Sequence, residues 1–319
     1  MIRTVLGDVP PSELGFCHAH EHVLIRGGLG VMKNPDLGIG DVDAAVEELT
    51  AFRRAGGGAM VDAMPLDCGR DAAGLVEVSR LTGIHIVAAT GFHTPHYYDD
   101  IHWTYSYPID DIVELLVAEV EEGLDEHGYN GPRVRRLAAR AGVVKVASEL
   151  DRIAAVSRKL MEAAAECHRR TGVPVLTHTE RGTMALEQVE ALTALGVPAD
   201  AIMVSHVDRN LDHGLHAELA RTGAYLVYDG VSRDKYHTVD EVIDLIEIAC
   251  AGGGRDRVLL GLDLALRSYR RSYGGSPGMT FVLDRFLPAL RARGVDATAI
   301  HRFGWDNPSR ALTVRAAER

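Results

Sequence analysis

The chain has 319 residues, of which 46% are hydrophobic and 25% are charged, a balance typical of a soluble globular protein with a sizeable core. Its formal net charge of -11 excludes the basic surface that nucleic acid requires, and no stretch has the apolar length of a membrane span or a secretion signal. Four widely spaced cysteines without a Cys-x-x-Cys pair exclude a cysteine zinc knuckle and favour a cytoplasmic protein.

Short apolar runs alternate with amphipathic segments along nearly the whole chain. Eight of these runs predict strands: Gly15–Leu24, Ala59–Met64, His85–Gly91, Gly142–Ala147, Pro174–Thr179, Ala201–Val207, Ala224–Tyr228 and Val258–Asp263. Helical periodicity predicts helices that include Asp41–Ala55, Ile109–Leu124, Asp151–Thr171 and Val239–Ala251. Glycines at the ends of several helical segments predict left-handed caps at Gly56, Gly83, Gly172, Gly223 and Gly252.

Strands that alternate with helices in this way predict parallel βαβ units. Eight such units favour a closed (β/α)8 TIM barrel over an open doubly wound sheet, and no glycine-rich dinucleotide fingerprint follows the first strand. We predict one α/β barrel domain over residues 1–319. A short extra strand or cap is expected at Ile2–Gly7, and a helix at Phe281–Gly294.

Ionisable side chains collect at the carboxyl ends of the predicted strands, where the active sites of such barrels form. Strand one carries His18, His20 and His22 at alternate positions, which predicts that all three lie on one face. The later strands contribute Lys145, His178, His206 and Asp263. One histidine here would be an ordinary hydrogen-bonded residue, but so many converging groups are costly inside a barrel unless they are paired or bound to metal. Imidazole and carboxylate suit zinc-like ions, so the sequence predicts a metal site.

This ordered set resembles the phosphotriesterase-like branch of the amidohydrolase superfamily. From about Val5 onward, the similarity is carried by AHEH in strand one, AGVVKVA in strand four, the two single histidines, the final aspartate and the closing DNPSRAL. The resemblance implies a binuclear metal centre at the carboxyl ends of the strands. One ion would be held by His20, His22 and Asp263, and the other by His178 and His206. His18 would then be a supporting or packing residue.

The resemblance also implies that Lys145 is carboxylated, because one nitrogen of a neutral lysine cannot bridge two metals whereas a carbamate can. The alternative for Lys145 is a buried cation paired with Glu149 or Asp263. The two divalent ions would be zinc by ligand type, with manganese or cobalt as alternatives. They would share a hydroxide nucleophile, and Asp263 would be the catalytic residue that accepts its proton.

The loops after strands seven and eight, GVSRDKYHTVDE and ALRSYRRSYGGSPG, resemble those of the family's sugar-lactone-phosphate hydrolases. By that resemblance Lys235 and Tyr269 would bind a phosphate. Leu266 stands where those hydrolases have an arginine, and Arg267 follows it as a further substrate-binding candidate. A solvated surface is the alternative for the basic side chains of both loops.

The tyrosine-rich loop after strand three is predicted to wall the pocket, through Tyr98 or its neighbour Tyr97.

The function predicted is a lactonase that hydrolyses a polar or phosphorylated sugar lactone. The alternative is an amidohydrolase or esterase acting on an N-acyl or other carboxylic ester substrate, with phosphotriesterase activity as a side reaction. A non-catalytic metal-binding barrel would have lost a ligand, and none is lost here. We expect a small-molecule substrate and a homodimer.

Overall fold

A computed structural model describes residues 1–99 and 101–317 of the chain. Its main sheet has eight parallel strands, and each strand pairs with the next one along the chain. A separate antiparallel hairpin precedes them, formed by β1 (Ile2–Thr4) and β2 (Gly7–Val9). The barrel strands are β3 (Phe16–Glu21), β4 (Gly57–Asp62), β5 (His85–Gly91), β6 (Ala141–Ser148), β7 (Val175–Thr179), β8 (Ile202–Ser205), β9 (Tyr225–Tyr228) and β10 (Val258–Leu260).

Helices lie between successive strands, and the last three helices follow the final strand. They are α1 (Gly28–Lys33), α2 (Val42–Arg54), α3 (Ala72–Thr82), α4 (Ile109–Glu121), α5 (Ala155–Thr171), α6 (Ala185–Ala194), α7 (His213–Thr222), α8 (Val239–Ala251), α9 (Leu287–Ala292), α10 (Ala297–His301) and α11 (Asn307–Ala311). Within the two described ranges, no helix combines the length and the apolar character needed to cross a lipid bilayer.

The last strand approaches the first one and brings the two edges of the sheet together. The amide of Asp263, just beyond β10, donates a hydrogen bond to the carbonyl oxygen of His20 in β3, at 3.2 Å. A Cβ at Gly261 would lie 2.8 Å from that same oxygen, so the close approach requires glycine there. This architecture confirms the predicted (β/α)8 TIM barrel.

Apolar side chains from every barrel strand fill the lower part of the barrel interior, among them Ala19, Val61, Val87, Val143, Leu176, Met203, Val227 and Leu259. Ile2 of the amino-terminal hairpin joins this cluster, as the predicted cap would. Successive inward positions on a strand are two residues apart. The next inward residues beyond the apolar layer are therefore polar on four neighbouring strands: Lys145, His178, Ser205 and Asp229.

Four predicted strands extend too far at their carboxyl ends. β3 ends at Glu21 rather than Leu24, and β4 ends at Asp62 rather than Met64. The structure ends β8 at Ser205 and β10 at Leu260, short of the predicted ends at Val207 and Asp263. His206 has a φ angle of 65° and Asp263 one of 51°. A left-handed backbone conformation cannot continue a strand, so the chain turns sharply at both residues.

Helix ends follow the predictions with three exceptions. The helix predicted over Ile109–Leu124 ends three residues earlier, at Glu121. The helix predicted from Asp151 begins at Ala155, because Asp151 has a φ angle of 55° and lies in a turn. The cap predicted at Gly252 is wrong, since Gly252 has a φ angle of -72° and the left-handed residue is Gly253, at 96°.

The helix predicted over Phe281–Gly294 is interrupted by a wider, π-helical turn at Val282–Phe286, after which α9 begins. A second π-helical turn, Arg302–Asp306, leads into α11 in the same way. Each following helix carries a proline near its start, Pro288 or Pro308. A proline lacks an amide donor and its ring crowds the carbonyl one turn earlier, and a wider turn accommodates both effects.

A buried ion pair anchors the long segment between α4 and β6. Both terminal nitrogens of Arg70 lie 2.7 Å from the carboxylate oxygens of Glu119, and both side chains are fully buried. Arg70 also donates to the carbonyl of Ala89 in β5 at 2.8 Å, while Glu119 accepts the amide of Asp125 at 3.0 Å. One cluster of charges thus joins a barrel strand, a helix and a loop.

Candidate metal centre

The six predicted metal ligands line one cavity of about 210 Å³ at the carboxyl end of the barrel. His20, Lys145 and His178 lie within barrel strands, whereas the other three follow strand ends directly or within three residues. The six residues come from five different strands: His20, His22, Lys145, His178, His206 and Asp263. The barrel therefore brings together the set that the sequence predicted to converge.

The first group consists of His20, His22 and Asp263. Nε2 of His22 lies 3.2 Å from Oδ1 of Asp263, and Nε2 of His20 lies 3.8 Å from the same oxygen. The buried Nε2 of His20 has no hydrogen-bond partner among the described residues. One ligand atom from each residue falls within 4.8 Å of the others, so the three can hold one metal ion.

The second group consists of His178 and His206. Nδ1 of His178 faces Nε2 of His206 at 2.8 Å. The opposite ring nitrogens already have carboxylate partners, because Nε2 of His178 lies 3.4 Å from Glu180 and Nδ1 of His206 lies 2.7 Å from Asp229. The two facing nitrogens are therefore the ones available to a second ion.

Asp229, which the sequence analysis missed, orients histidines of both groups. Its Oδ1 lies 2.7 Å from Nδ1 of His206, and its Oδ2 lies 3.3 Å from Nδ1 of His20. The hydroxyl of Ser205 also contacts Nδ1 of His20, at 2.8 Å. These contacts direct both Nε2 atoms toward the cavity, so Asp229 supports the ligands rather than replacing one. Asp229 directly follows β9, so it could have been found by the criterion that identified the histidines, an ionisable residue at the carboxyl end of a strand.

Lys145 is buried between the two groups. Its Nζ donates to the carbonyl oxygen of Ala63 at 2.8 Å, and not to either carboxylate considered as its partner. Glu149 is engaged elsewhere, by the amide of Ala154 at 2.9 Å and the hydroxyl of Ser157 at 2.7 Å. Burial lowers the pKa of the Lys145 amine to about 8. A fraction of the amine is then neutral near pH 7, which is the form that reacts with carbon dioxide.

The electrostatic environment gives the ligands the charge states that metal binding requires. Burial holds the pKa values of His20 and His206 well below their usual range, and it lowers the pKa of His178 to about 4. Burial opposes ionisation of Asp263, but hydrogen bonding to His22 and nearby guanidinium groups keep the pKa of its carboxyl well below the usual range. Neutral imidazoles and an ionised carboxylate are the ligand forms that bind divalent metals.

His18 does not share a face with His20 and His22, so the prediction from simple alternation is wrong. Its ring lies 4.6 Å from that of Phe52 on α2, and its Nδ1 lies 3.0 Å from Oε1 of Glu21. The pairing of β3 with β4 shifts register between His18 and Glu21. This irregularity breaks the two-residue alternation and leaves His18 packed against the helical layer.

The four predicted substrate-binding residues are absent from the described residues that line the cavity: Lys235, Arg267, Tyr269 and Tyr98. Lys235 and Arg267 are exposed, and Nε of Arg267 donates to the carbonyl of Gly38 at 2.6 Å. The ring of Tyr269 packs against the guanidinium of Arg233, 4.0 Å from its centroid.

Tyr98 is buried behind the cavity, and its hydroxyl is fully used. That hydroxyl accepts the amide of His93 and donates to the carbonyl of Leu66, both at 3.0 Å. Tyr97 lines the cavity in its place, and burial raises the pKa of the Tyr97 hydroxyl to about 12. A neutral phenol that faces the cavity can donate a hydrogen bond to a substrate.

Arginines missed by the sequence analysis support Asp263. Nη2 of Arg209 lies 2.6 Å from Oδ2 of Asp263, and Nη2 of Arg233 lies 3.2 Å from the same oxygen. Arg209 is three residues after His206, in the loop that follows a ligand-bearing strand, and this position could have identified it. Both guanidinium groups contact the carboxylate oxygen that points away from His22.

Arg270 is buried, although its loop was considered a candidate solvated surface. Its guanidinium donates to the carbonyl oxygens of Leu264 and His22. The bond to the His22 carbonyl holds the backbone just after the end of β3. Arg270 therefore positions His22, although Arg270 itself does not line the cavity.

We expect Asp229→Asn to weaken metal binding by about 10- to 100-fold, since an amide cannot hold the tautomers of His20 and His206 as a carboxylate does. Competition with a chromophoric chelator measures this affinity. Asp234→Asn, an exposed change in the same loop, is the matched control and should bind as the unaltered protein does. Equal affinity in the Asp229 variant would show that other contacts set these tautomers.

The chain is similar in sequence and in fold to several known proteins. A phospho-furanose lactonase from Mycoplasmopsis synoviae is 36% identical over 97% of this chain and 91% of its own length. The crystal structure of an amidohydrolase from Mycoplasma synoviae superposes with a TM-score of 0.96 at 35% identity, covering 99% of this chain and 92% of that one. A lactonase structure from Listeria monocytogenes gives a TM-score of 0.91 at 31% identity, covering 99% of both chains.

The model of the phosphotriesterase family matches residues 1–312, which includes the whole length, from about Val5 to Leu312, over which the sequence resemblance was noted. Identity above 30% to relatives that span the barrel supports the same assignment. The ligand set, the barrel and these similarities therefore lead to one conclusion: the chain belongs to the phosphotriesterase family.

Proposed function

We propose that the chain is a metal-dependent lactonase whose substrate is a polar or phosphorylated sugar lactone. The observation that carries this proposal is that two groups of histidines, His20 with His22 and His178 with His206, converge with buried Lys145 on one small cavity. The lactonase names of two similar proteins support the reaction class. Membership of a family of metal-dependent hydrolases agrees with it.

The residues fit a binuclear centre in which His20, His22 and Asp263 hold one ion and His178 and His206 the other. A carboxylated Lys145 would reach both groups, and its lowered pKa favours that modification. Zinc is the first choice for these ligands, with manganese or cobalt as alternatives. Bound ions would supply Lewis-acid chemistry here, lowering the pKa of a water and polarising the scissile carbonyl.

Asp263 is the proton-transfer group in this proposal. Its ionised carboxylate faces the cavity, and contacts with Arg209 and Arg233 fix its orientation. Asp263 accepts the proton of the attacking water and returns it to the ring oxygen as the lactone carbon–oxygen bond breaks. The product is then an open-chain hydroxy acid, with atoms and charges balanced.

The small volume of the cavity favours a compact substrate. A volume of about 210 Å³ is below the usual range of small-molecule pockets, as expected for a single ring. Arg209 and Tyr97 supply hydrogen-bond donors on the wall. Lys235 lies outside, 4.7 Å from the centroid of the ring of Tyr236, which itself lines the cavity. We propose that Lys235 and Tyr269 contact an anionic substituent at the rim, whereas Arg267 is held by Gly38.

Initial rates on one matched panel of substrates test the function. The panel holds five-membered sugar lactones with and without a 5-phosphate, aliphatic lactones, N-acyl amino acids and an aryl phosphotriester. We expect lactones to be hydrolysed fastest, and Asp263→Asn to reduce that rate by about 100-fold or more. Faster hydrolysis of the N-acyl compounds would replace the lactonase proposal with the amidohydrolase alternative.

The phosphate effect is a separate outcome of the same panel. A preference for 5-phosphorylated lactones that Lys235→Ala removes would support anion binding at the rim. Equal rates on phosphorylated and neutral lactones would contradict that part of the proposal and leave the lactonase activity intact. Arg267→Ala is the matched control, because this exposed side chain contacts Gly38.

A further inference from the structure

Glu180 forms the boundary between the metal cavity and a larger open groove beside it. The groove has a volume of about 810 Å³ and is lined by loops that follow β5, β6 and β7. Glu180 is the residue that lines both spaces. A substituent that leaves the cavity on this side therefore passes the Glu180 carboxylate.

The turn that carries Glu180 is held from several sides. Thr183 donates to the Glu180 carbonyl through its amide at 3.1 Å and through its hydroxyl at 2.9 Å. A Cβ at Gly182 would lie 2.7 Å from Cβ of Asn210, so the turn packs directly on the loop that follows His206. Arg181 has a φ angle of 55°, a conformation that persists only where the surroundings impose it. The backbone of Glu180 is thus held in one defined position at the edge of the cavity.

The Glu180 carboxylate has acceptor capacity that other acidic groups of the site lack. Asp229 is occupied by two imidazoles, and Asp263 is paired with two arginines. Among the described side chains, His178 is the one that donates to Glu180, through Nε2 to Oε2 at 3.4 Å. The other oxygen, Oε1, is available to a ligand, and two-fifths of the side chain is exposed.

We propose that Glu180 is a specificity residue that accepts a hydrogen bond from a substrate hydroxyl on the groove side of the cavity. The proposal rests on the lactonase function proposed above. An acceptor-only carboxylate at this boundary recognises a polyol lactone and gains nothing from an unsubstituted aliphatic one. A site built to bond a hydroxyl discriminates strongly against an analogue that lacks it.

Two lactones of the same ring size test this role, D-ribono-1,4-lactone and γ-valerolactone, of which the first carries ring hydroxyls. For Glu180→Gln and Glu180→Ala we expect kcat/KM on the ribonolactone to fall about 10- to 100-fold, the loss typical of a hydrogen bond to a charged group. The value for valerolactone should change less than about two-fold. Metal content is measured for every variant as a second readout.

Arg152→Gln is the matched control, since this exposed side chain lines the groove and not the cavity. It should leave both kcat/KM values unchanged. Equal losses on both lactones in the Glu180 variants, with or without loss of metal, would mean that Glu180 acts only through His178 and would overturn the inference. No change on either lactone would overturn it as well. Hydrolysis of neither lactone by the unaltered protein would instead overturn the proposed function, and this inference with it.

Discussion

Replacing Lys145 with alanine will reduce kcat/KM on the best lactone substrate by more than about 100-fold, because groups that merely hydrogen-bond to metal ligands already cause losses of about 10- to 100-fold when removed. The variant loses the side chain that lies between the two histidine groups, and with it the carbamate proposed to hold both ions. We expect the metal content of the variant to fall from two ions per chain to one or none, as measured by elemental analysis of the dialysed protein.

The modification itself has a direct readout. Protein incubated with ¹³C-bicarbonate and zinc should show one carbamate carbon by NMR, and Lys145→Ala should not. Lys159→Ala is the matched control, since Lys159 donates to loop carbonyls outside the cavity and should keep the signal, the metal and the activity. Full activity without any carbamate signal would show that Lys145 serves as an unmodified amine, and the binuclear proposal would need another bridging group.

Arg70→Met will destabilise the protein by about 3–5 kcal/mol, one of the largest effects expected of a change at a residue that does not line the cavity. The substitution leaves Glu119 buried without its bidentate partner and removes the bond from Arg70 to the carbonyl of Ala89. The carboxylate must then be ionised without a counter-charge or become protonated. Urea unfolding followed by circular dichroism, at equal metal loading, measures the change in free energy.

A second variant separates the ion pair from simple packing. Arg70→Met combined with Glu119→Leu should recover much of the loss, because apolar side chains of similar volume replace both charges. Arg170→Met is the surface control, since Arg170 and Glu114 form a similar bidentate pair at 2.6 and 3.3 Å in an exposed setting. Exposed pairs contribute little to stability. If Arg70→Met were no more harmful than Arg170→Met, the buried pair would not anchor the loop as described.

The rule that barrel sites form at strand ends was enough to place most of the candidate metal centre. Lys145 and His178 lie two residues after the inward apolar residues Val143 and Leu176 of their strands, so their inward direction can be predicted from the pattern alone. The same step on β9 leads from Val227 to Asp229, and applying it evenly would have found the residue that orients two histidines. The fold was predictable for the same reason, because eight such strands repeat the pattern.

The predictions of side-chain direction failed mainly in loops, where the backbone is irregular and no strand or helix period applies. Nothing in the local pattern distinguishes Tyr97, which lines the cavity, from Tyr98, which binds backbone groups behind it. His18 was misplaced because a register shift between β3 and β4 interrupts the alternation. The partner of Arg267 is the carbonyl of Gly38, more than two hundred positions away in the chain, and no local motif could have identified it.

His206 and Asp263 both have a left-handed backbone conformation. At these two positions, the residue that would best stabilise the fold differs from the residue that the proposed activity requires. Glycine adopts such a conformation at little steric cost, whereas a residue with a Cβ adopts it less readily. Variants selected for heat resistance alone would therefore be expected to gain glycine or asparagine at these positions, and each gain would remove a ligand. Engineering for durability should hold residues 206 and 263 constant and seek its improvements in the helical layer.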